Sequence, residues 1–489
     1  MYRELIKVKK HNEVYAVILA DSGILKELSE YFKFRVPGYQ FMPSYKSRMW
    51  DGYIRLFNSL TCQLYLGLVK YLKVFAKERE YDIEIDDEIY ECEQEVTKEK
   101  IDSFIENLSL PHKLRDAQYL ALQEAITKGR NLLLSPTASG KSLIIYTLIR
   151  WFETEKVLII VPTIGLVTQM IDDFKSYGFN TKHCHGIYES QSKETDKRIV
   201  VSTWQSIYKL PKSWFKQFGV VIGDEAHLYK AESIKKIMQN LETCKYRFGT
   251  TGTLDGTQTN KLVLEGLFGP VFQVTTTKKL MDEGHLAKLK IDCLLLKYDV
   301  EECKNLRDST YRDEVKFIIE NNKRNSFITN LAVNLENNTM VLFQYVDKHG
   351  KILYESIKKK AKGRKVFYVS GETDAESREQ VRKITEKERG VIIVASSGVF
   401  STGINIRNLD NIIFVFPSKS RIKTLQSIGR VLRVGDYSNK ATLYDIVDDL
   451  SYKAYKNFAL THFLERAKIY NSEKFDYKIH KIDFASKKS

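Results

Sequence analysis

Short apolar runs bounded by turn residues recur along this 489-residue chain, separated by stretches with helical spacing. The runs are 131–134, 157–161, 199–202 and 220–223; after a connecting region at 278–299 the pattern returns at 340–343, 366–369, 391–395, 412–416 and 441–446. Nearly continuous apolar strands alternating with amphipathic helices are what a parallel sheet covered on both faces requires. The spacing therefore predicts two tandem α/β domains. No short-period repeat runs through the chain, which excludes a solenoid.

Upstream, the pattern over 7–19 predicts two short strands around a turn at His11 and Asn12, and Leu25, Leu28, Tyr31 and Phe32 predict a helix over 23–34. This reads as a small α+β unit. Nine acids then follow from Glu80 to Glu95 with no Lys or Arg among them, a charge shift that suits a domain end. The expected division is 1–95, 96–285, 286–450 and a tail, 451–489. In the tail Tyr455, Phe458, Leu460, Phe463 and Leu464 have helical spacing before a basic, aromatic end, so it is expected to be a helical, basic extension.

The composition, 43% hydrophobic and 28% charged with 8 prolines, is that of an ordered globular protein. A formal charge of +15 attracts polyanions, which favours nucleic acid or an anionic membrane surface without choosing between them. No apolar run approaches the roughly 18 residues that cross a bilayer, and residues 1–21 interleave lysines with strand-like residues, so a soluble protein with no membrane partner is expected. The six cysteines form no C-x-x-C pair, which argues against a zinc ribbon or disulfide framework and fits a reducing compartment. His183 and His185 flank Cys184 without a further ligand at metal-site spacing.

Chemistry concentrates at two places. SPTASGKS, Ser135 to Ser142, sits between an apolar strand and a helical stretch, where backbone N–H groups and a helix N-terminus converge on phosphates. Ser135 stands where the pattern G-x-x-x-x-G-K-[ST] has its first glycine, but after Pro136, itself expected in the binding loop, the small residues Thr137, Ala138, Ser139 and Gly140 still let a phosphate approach the backbone. Lys141 would reach the β- and γ-phosphates and Ser142 would hold Mg²⁺. In VVIGDEAH, Asp224 and Glu225 follow an apolar strand; Asp224 suits Mg²⁺ and Glu225 suits the attacking water of phosphoryl transfer. ATP and Mg²⁺ are the expected cofactors. In the small first unit, Lys46, Arg48 and Arg55 are interleaved with Tyr45, Trp50, Tyr53 and Phe57, the types that bind phosphates and stack on bases, although a tryptophan in so small a unit is also an ordinary core residue.

In order along the chain, PTASGKS, DEAH, TGT (Thr251 to Thr253) and QSIGRVLR (Gln426 to Arg433) resemble motifs I, II, III and VI of superfamily 2 helicases. The resemblance extends over about 114–433. It implies two RecA-like domains with ATP bound in the cleft between them. It further implies that Arg115 and Gln118 of LRDAQ contact the nucleotide, Gln118 through adenine, with Gly403 and Asn405 of motif V alongside. Arg430 and Arg433, one helical turn apart, become arginine fingers. His227, which would bridge to Gln426, and Thr251 and Thr253 couple hydrolysis to motion. Thr163 and Gln169 of VPTIGLVTQ, Thr203 of VSTWQ, and Ser370, Gly371 and Ser396 would hold nucleic-acid phosphates without reading bases. Asn405 stands where motif V often has Asp, and TGT replaces the commoner SAT.

GYQF, WDGYIRLF, FGTTGTLDG and VIIVASSGVFSTGINIRNL narrow the resemblance to phage helicases of recombination and repair. That implies a monomeric motor in the host-bacterium cytoplasm acting on forks, Holliday junctions and displacement loops, with RNA–DNA hybrids and phage replication or recombination proteins as further partners. It also implies a first domain that binds duplex DNA. Two alternatives stay open: an RNA helicase with the same motor, and a DNA-binding or annealing protein with an idle nucleotide fold. No nuclease signature of a restriction motor stands out.

Overall fold

A computed structural model describes residues 4–136, 139–189, 191–230, 232–254, 257–402, 406, 408–417, 420, 428–429 and 440–484. The chain divides into two compact units, one of Met1–Ser135 with Gly140–Thr275 and the other of Pro136–Ser139 with Thr276–Ser489.

The first unit begins with a hairpin of β1 (Leu5–Lys10) and β2 (Tyr15–Leu19). Its turn is set by Asn12, whose Oδ1 accepts from the backbone N–H of Val14 at 2.8 Å and of Tyr15 at 3.0 Å. A separate antiparallel pair, β3 (Lys33–Arg35) and β4 (Tyr53–Arg55), flanks a 17-residue connection, 36–52. With β5 (Phe57–Asn58), β6 (Gln63–Tyr65) and β7 (Asp82–Ile85) the hairpin forms a sheet ordered β5-β6-β2-β1-β7. Ile6, Val8, Ala16 and Ile18 alternate onto its buried face, covered by Ile24 and Leu28 of helix Ser22–Tyr31 and by Leu72 and Phe75 of helix Val69–Glu78.

The second sheet of this unit holds β8 (Arg130–Leu134), β9 (Val157–Val161), β10 (Cys184–Ile187), β11 (Ile199–Thr203), β12 (Val220–Gly223), β13 (Tyr246–Thr251) and β14 (Val271–Gln273). All neighbours are parallel, in the order β10-β11-β9-β12-β13-β8-β14. The four apolar runs become β8, β9, β11 and β12. The strand β13 gives no such signal because Arg247 interrupts it. Its guanidinium, 1% exposed, donates to the carbonyls of Leu241 (2.5 Å), Met238 and Cys244 (3.2 Å each) and Leu267 (3.4 Å).

The two sheets share one apolar core running from Ile6 to Phe268. Glu265, 1% exposed, accepts from Lys70 Nζ and Tyr71 Oη, each at 2.6 Å, and from the backbone of Val271 at 3.1 Å. Gly67 lies so near that a Cβ would fall 1.8 Å from the Glu265 carbonyl oxygen. Arg130 adds an ion pair to Glu13. The small first sheet is thus cemented to the larger one by burial and charge together.

The second unit is built on β15 (Lys288–Lys297), β16 (Thr339–Phe343), β17 (Val366–Val369), β18 (Ile392–Ser396), β19 (Asn411–Phe414), β20 (Lys440–Asp449) and β21 (Tyr477–Asp483). These are all parallel, in the order β17-β18-β16-β19-β20-β15-β21. The five later apolar runs are all strands here. The connecting region supplies β15 as well. In the tail, helix Phe458–Ser472 is followed by β21, which pairs with β15 as an edge strand; its mostly exposed, polar residues give no apolar run to announce it. Two buried ion pairs pin β20: Arg466 on Asp445 at 2.8 Å and Arg324 on Asp448 at 2.7 Å. Glu314, 1% exposed, caps helix Phe458–Ser472 by accepting from the backbone of Phe458 at 2.9 Å and Ala459 at 2.7 Å. No helix among the described residues is long and apolar enough to cross a membrane.

Candidate active site

Parallel pairing brings the ends of β8, β12 and β13 to one edge of the first unit's larger sheet, since Leu134 is in register with Thr251 and Gly223 with Gly249. Ligands of open α/β sheets bind at this carboxyl edge. Ser135 follows β8 and donates its N–H to the Thr251 carbonyl at 2.8 Å. The chain re-enters as helix Lys141–Trp151, capped by Gly140 at φ 81°. Glycine is required twice over there, because the φ is left-handed and a Cβ would fall 2.3 Å from Gln118 Nε2. Gln118 is 4% exposed; its Oε1 accepts from Arg115 N at 2.9 Å and its Nε2 donates to the Gly140 carbonyl at 3.4 Å. The predicted adenine and phosphate elements thus meet through one amide. Ser139 Oγ donates to the Pro136 carbonyl at 2.7 Å.

Lys141 Nζ lies 3.3 Å from Glu225 Oε1, and Ser142 Oγ lies 3.0 Å from Tyr177 Oη. Asp224, 8% exposed, accepts from Thr250 Oγ1 at 2.7 Å. Burial, reinforced by the neighbouring Glu225, holds the Asp224 carboxyl above the usual carboxylate range. Burial acts in the same direction on Glu225, but Lys141 and His227 outweigh it and bring that carboxyl down to about 2. Glu225 has φ 50°, a left-handed turn costing about 1–2 kcal/mol in a non-glycine residue, at the point where the chain leaves β12. His227, 6% exposed, places Nδ1 3.2 Å from Glu225 Oε2 and 3.1 Å from Thr251 Oγ1, and Thr251 Oγ1 donates to the Thr253 carbonyl at 3.0 Å. Of the residues expected to react and to couple, Lys141, Glu225, His227, Thr251 and Thr253 form one polar chain, with Asp224 held separately by Thr250.

Of the residues expected to contact nucleic acid, Thr163, Thr203, Ser370, Gly371 and Ser396 lie at or just past strand ends, Gln169 on a helix, and Lys46, Arg48 and Trp50 on the connection 36–52. Thr163 precedes helix Ile164–Ser176, which carries exposed Gln169, and Thr203 ends β11 with Oγ1 2.9 Å from Ser206 Oγ. In the second unit Ser370 and Gly371 follow β17, and Ser396 ends β18. Ser370 is committed to a local turn, its N–H donating to Thr373 Oγ1 at 3.0 Å, whereas Gly371 is exposed. In 36–52, Lys46 and Arg48 are exposed, but Trp50 is half-buried with Nε1 donating to the Tyr53 carbonyl at 2.8 Å. Arg55 forms an ion pair with Asp51 at 2.5 Å. Thr137, Ala138, Gly403, Asn405, Gln426, Arg430 and Arg433 lie outside the described residues.

Thr250 and Tyr177 belong to the site without having been legible beforehand. Thr250 adjoins the TGT match and could have been read as its extension; nothing in the sequence around Tyr177 points to Ser142.

Tandem all-parallel sheets and a lysine-matched acid pair at the strand ends define a class, the ATP-driven helicases of superfamily 2. Residues 5–86 match the family "DNA helicase UvsW, N-terminal", 111–256 match "Type III restriction enzyme, res subunit" and 322–435 match "Helicase conserved C-terminal domain". The chain is 37% identical over 503 residues to the ATP-dependent DNA helicase uvsW of Enterobacteria phage T4, covering 96% of this chain and 98% of that one. It is 25% identical over 397 residues to the DNA 3'-5' translocase XPB2 of Sulfurisphaera tokodaii, covering 73% and 87%. The crystal structure of T4 UvsW superimposes with a TM-score of 0.52 at 34% identity, covering 98% of this chain and 99% of that chain. The chain belongs to the UvsW family of ATP-dependent DNA helicases.

Proposed function

We propose that this helicase remodels branched DNA, regressing forks, migrating Holliday junctions and unwinding displacement loops and RNA–DNA hybrids during phage recombination, repair and replication in the host cytoplasm. The observation that carries the reading is the polar chain from Lys141 through Glu225 and His227 to Thr251, because it ties the candidate nucleotide site to the TGT segment expected to couple hydrolysis to motion. Lys141 leaves Glu225 as phosphate oxygens arrive. The carboxylate then loses a strong counter-charge, its pKa rises, and it becomes able to accept a proton from the attacking water. ATP itself thereby arms the base.

Asp224 fits a magnesium site, since it is a buried carboxylate whose ionised form is disfavoured by burial and by Glu225, and a divalent cation would reverse that balance. Ser142 and Asp224 would hold Mg²⁺, which supplies charge neutralisation at the β- and γ-oxygens when bound. Gln118 and Arg115 orient the base, and Gly403 and Asn405 contact the nucleotide. Arg430 and Arg433 stabilise the transferred phosphoryl, and Gln426 receives the signal from His227. Residues 1–95 grip duplex DNA, 96–285 and 286–450 are the motor lobes, and 451–489 extends the second. The motor works as a monomer, with phage replication and recombination proteins as partners.

ATPase and unwinding assays across linear duplex, single strand, fork, four-way junction and structured RNA test this. Forks and junctions should stimulate both activities most. Stimulation by structured RNA and not by branched DNA would overturn the reading.

A further inference from the structure

A motor that remodels branched DNA needs an element that parts bases at the branch point, and no residue assigned above does this. We propose that Phe41 and Met49, on the connection between β3 and β4, form an apolar wedge that unstacks base pairs at that point; the proposal rests on the branched-DNA reading given above. Phe41 is 73% exposed and Met49 82% exposed, whereas Trp50, the side chain that residue type alone singles out, is half-buried and tethered to the Tyr53 carbonyl.

The backbone keeps both tips in water. The N–H groups of Met49 and Trp50 donate to the Ser44 carbonyl at 3.0 and 3.1 Å, and that of Phe41 donates to the Gly38 carbonyl at 3.0 Å. Tyr39 is gripped between the Arg35 guanidinium, 4.4 Å from its ring centroid, and the Tyr45 ring at 4.6 Å. Gly52, at φ 83°, lets the chain close, since a Cβ there would fall 2.7 Å from the Tyr39 ring. A connection this well bonded that still points two large apolar side chains outward is built for contact with something apolar.

Charge names the occupant. The charged side chains of 36–52 are Lys46, Arg48 and Asp51, and Asp51 is already paired with Arg55. Lys46 and Arg48 remain exposed beside Met49, around a surface concavity of ≈ 670 Å³. Cations beside the exposed Met49 tip match a nucleic acid, whose phosphates lie outside and whose stacked bases lie within; inserted apolar side chains unstack base steps in this setting. Met42 and Trp50 line one cavity with Val263 and Asn260 of helix Gln258–Phe268, which carries Glu265, so the connection belongs to the unit that holds Lys141 and Glu225.

The test uses the full chain, a fork carrying 2-aminopurine at the branch point, and the double variant Phe41→Ala/Met49→Ala. Binding of the wild type without ATP should raise the fluorescence. The double variant should lose that rise and unwind forks roughly tenfold or more slowly, with single-strand-stimulated ATPase unchanged, because the tips no longer offset the cost of unstacking a step. Phe41→Trp should keep the signal. Lys46→Ala/Arg48→Ala should weaken binding yet keep the rise per bound complex. Wild-type fluorescence and unwinding rates in the double variant would overturn the wedge, as would a parallel collapse of its ATPase, which marks a general structural role. A wild type that remodels no branched DNA fails the broader reading instead.

Discussion

Lys141 and Glu225 hold each other at 3.3 Å, and this contact supplies a counter-charge to the adjacent carboxylates of buried Asp224 and half-buried Glu225. Lys141→Met should leave Asp224 and Glu225 without that counter-charge. Unfolding in urea should show a loss of about 1–3 kcal/mol, the range for a hydrogen bond to a charged group or the stranding of its partner. A fluorescent ATP analogue should bind at least tenfold more weakly, roughly the lower end of the same range.

Glu265 ties the first small sheet to the motor sheet. Glu265→Ala removes the acceptor of Lys70 and Tyr71, but Lys70 is 40% exposed and can turn to water, so the cost should be modest, about 1–3 kcal/mol. Limited proteolysis should then release the segment ending near residue 95 faster than in the wild type. An unchanged digestion pattern would mean the apolar core alone holds the joint.

In the second unit, Asp445 and Arg466 are 0% and 1% exposed, and Tyr470 Oη also donates to Asp445, at 2.9 Å. Arg466→Met should destabilise by about 3–5 kcal/mol because it strands a buried carboxylate. Adding Asp445→Asn should recover part of that loss in urea unfolding. No recovery would show that shape at this site matters more than charge.

His349 supplies a pH dependence. Burial, with the Arg324 charge nearby, lowers its imidazole pKa from 6.5 to about 3, so the folded chain keeps it neutral while the unfolded chain takes up a proton. Its contribution is fully present above pH 6.5 and is lost as pH falls through the interval down to about 3, at about 1.4 kcal/mol per pH unit. His349→Gln should flatten the fall in urea-derived stability between pH 6 and 4 relative to the wild type. Parallel pH profiles would contradict the assignment.

Buried parallel strands were legible because they must be apolar on both faces: β9, β11, β12 and β16 stand out as nearly unbroken runs. Edge strands face water and need no such run, so β10, β14 and β21 left little trace, although the edge strand β17 keeps one in Val366–Val369. That Lys141 and Glu225 would meet was legible through residue type, since a lysine after glycine and adjacent acids after an apolar strand leave few other uses. Side-chain direction was not. Sequence could nominate Trp50 as a DNA contact, but only the turn through Ser44 and Gly52 shows Trp50 tethered inward with Phe41 and Met49 outward. Partners supplied from a distant helix, such as Tyr177 on Ser142, carry no local signature at all.

In the proposed mechanism Glu225 is the base and Lys141 the counter-charge that phosphate draws away from it. Glu225→Gln keeps the shape and removes the proton acceptor, so DNA-stimulated ATP turnover should fall by about 10²–10⁴ with ATP and DNA still bound. Turnover at the wild-type rate in that variant would contradict the account.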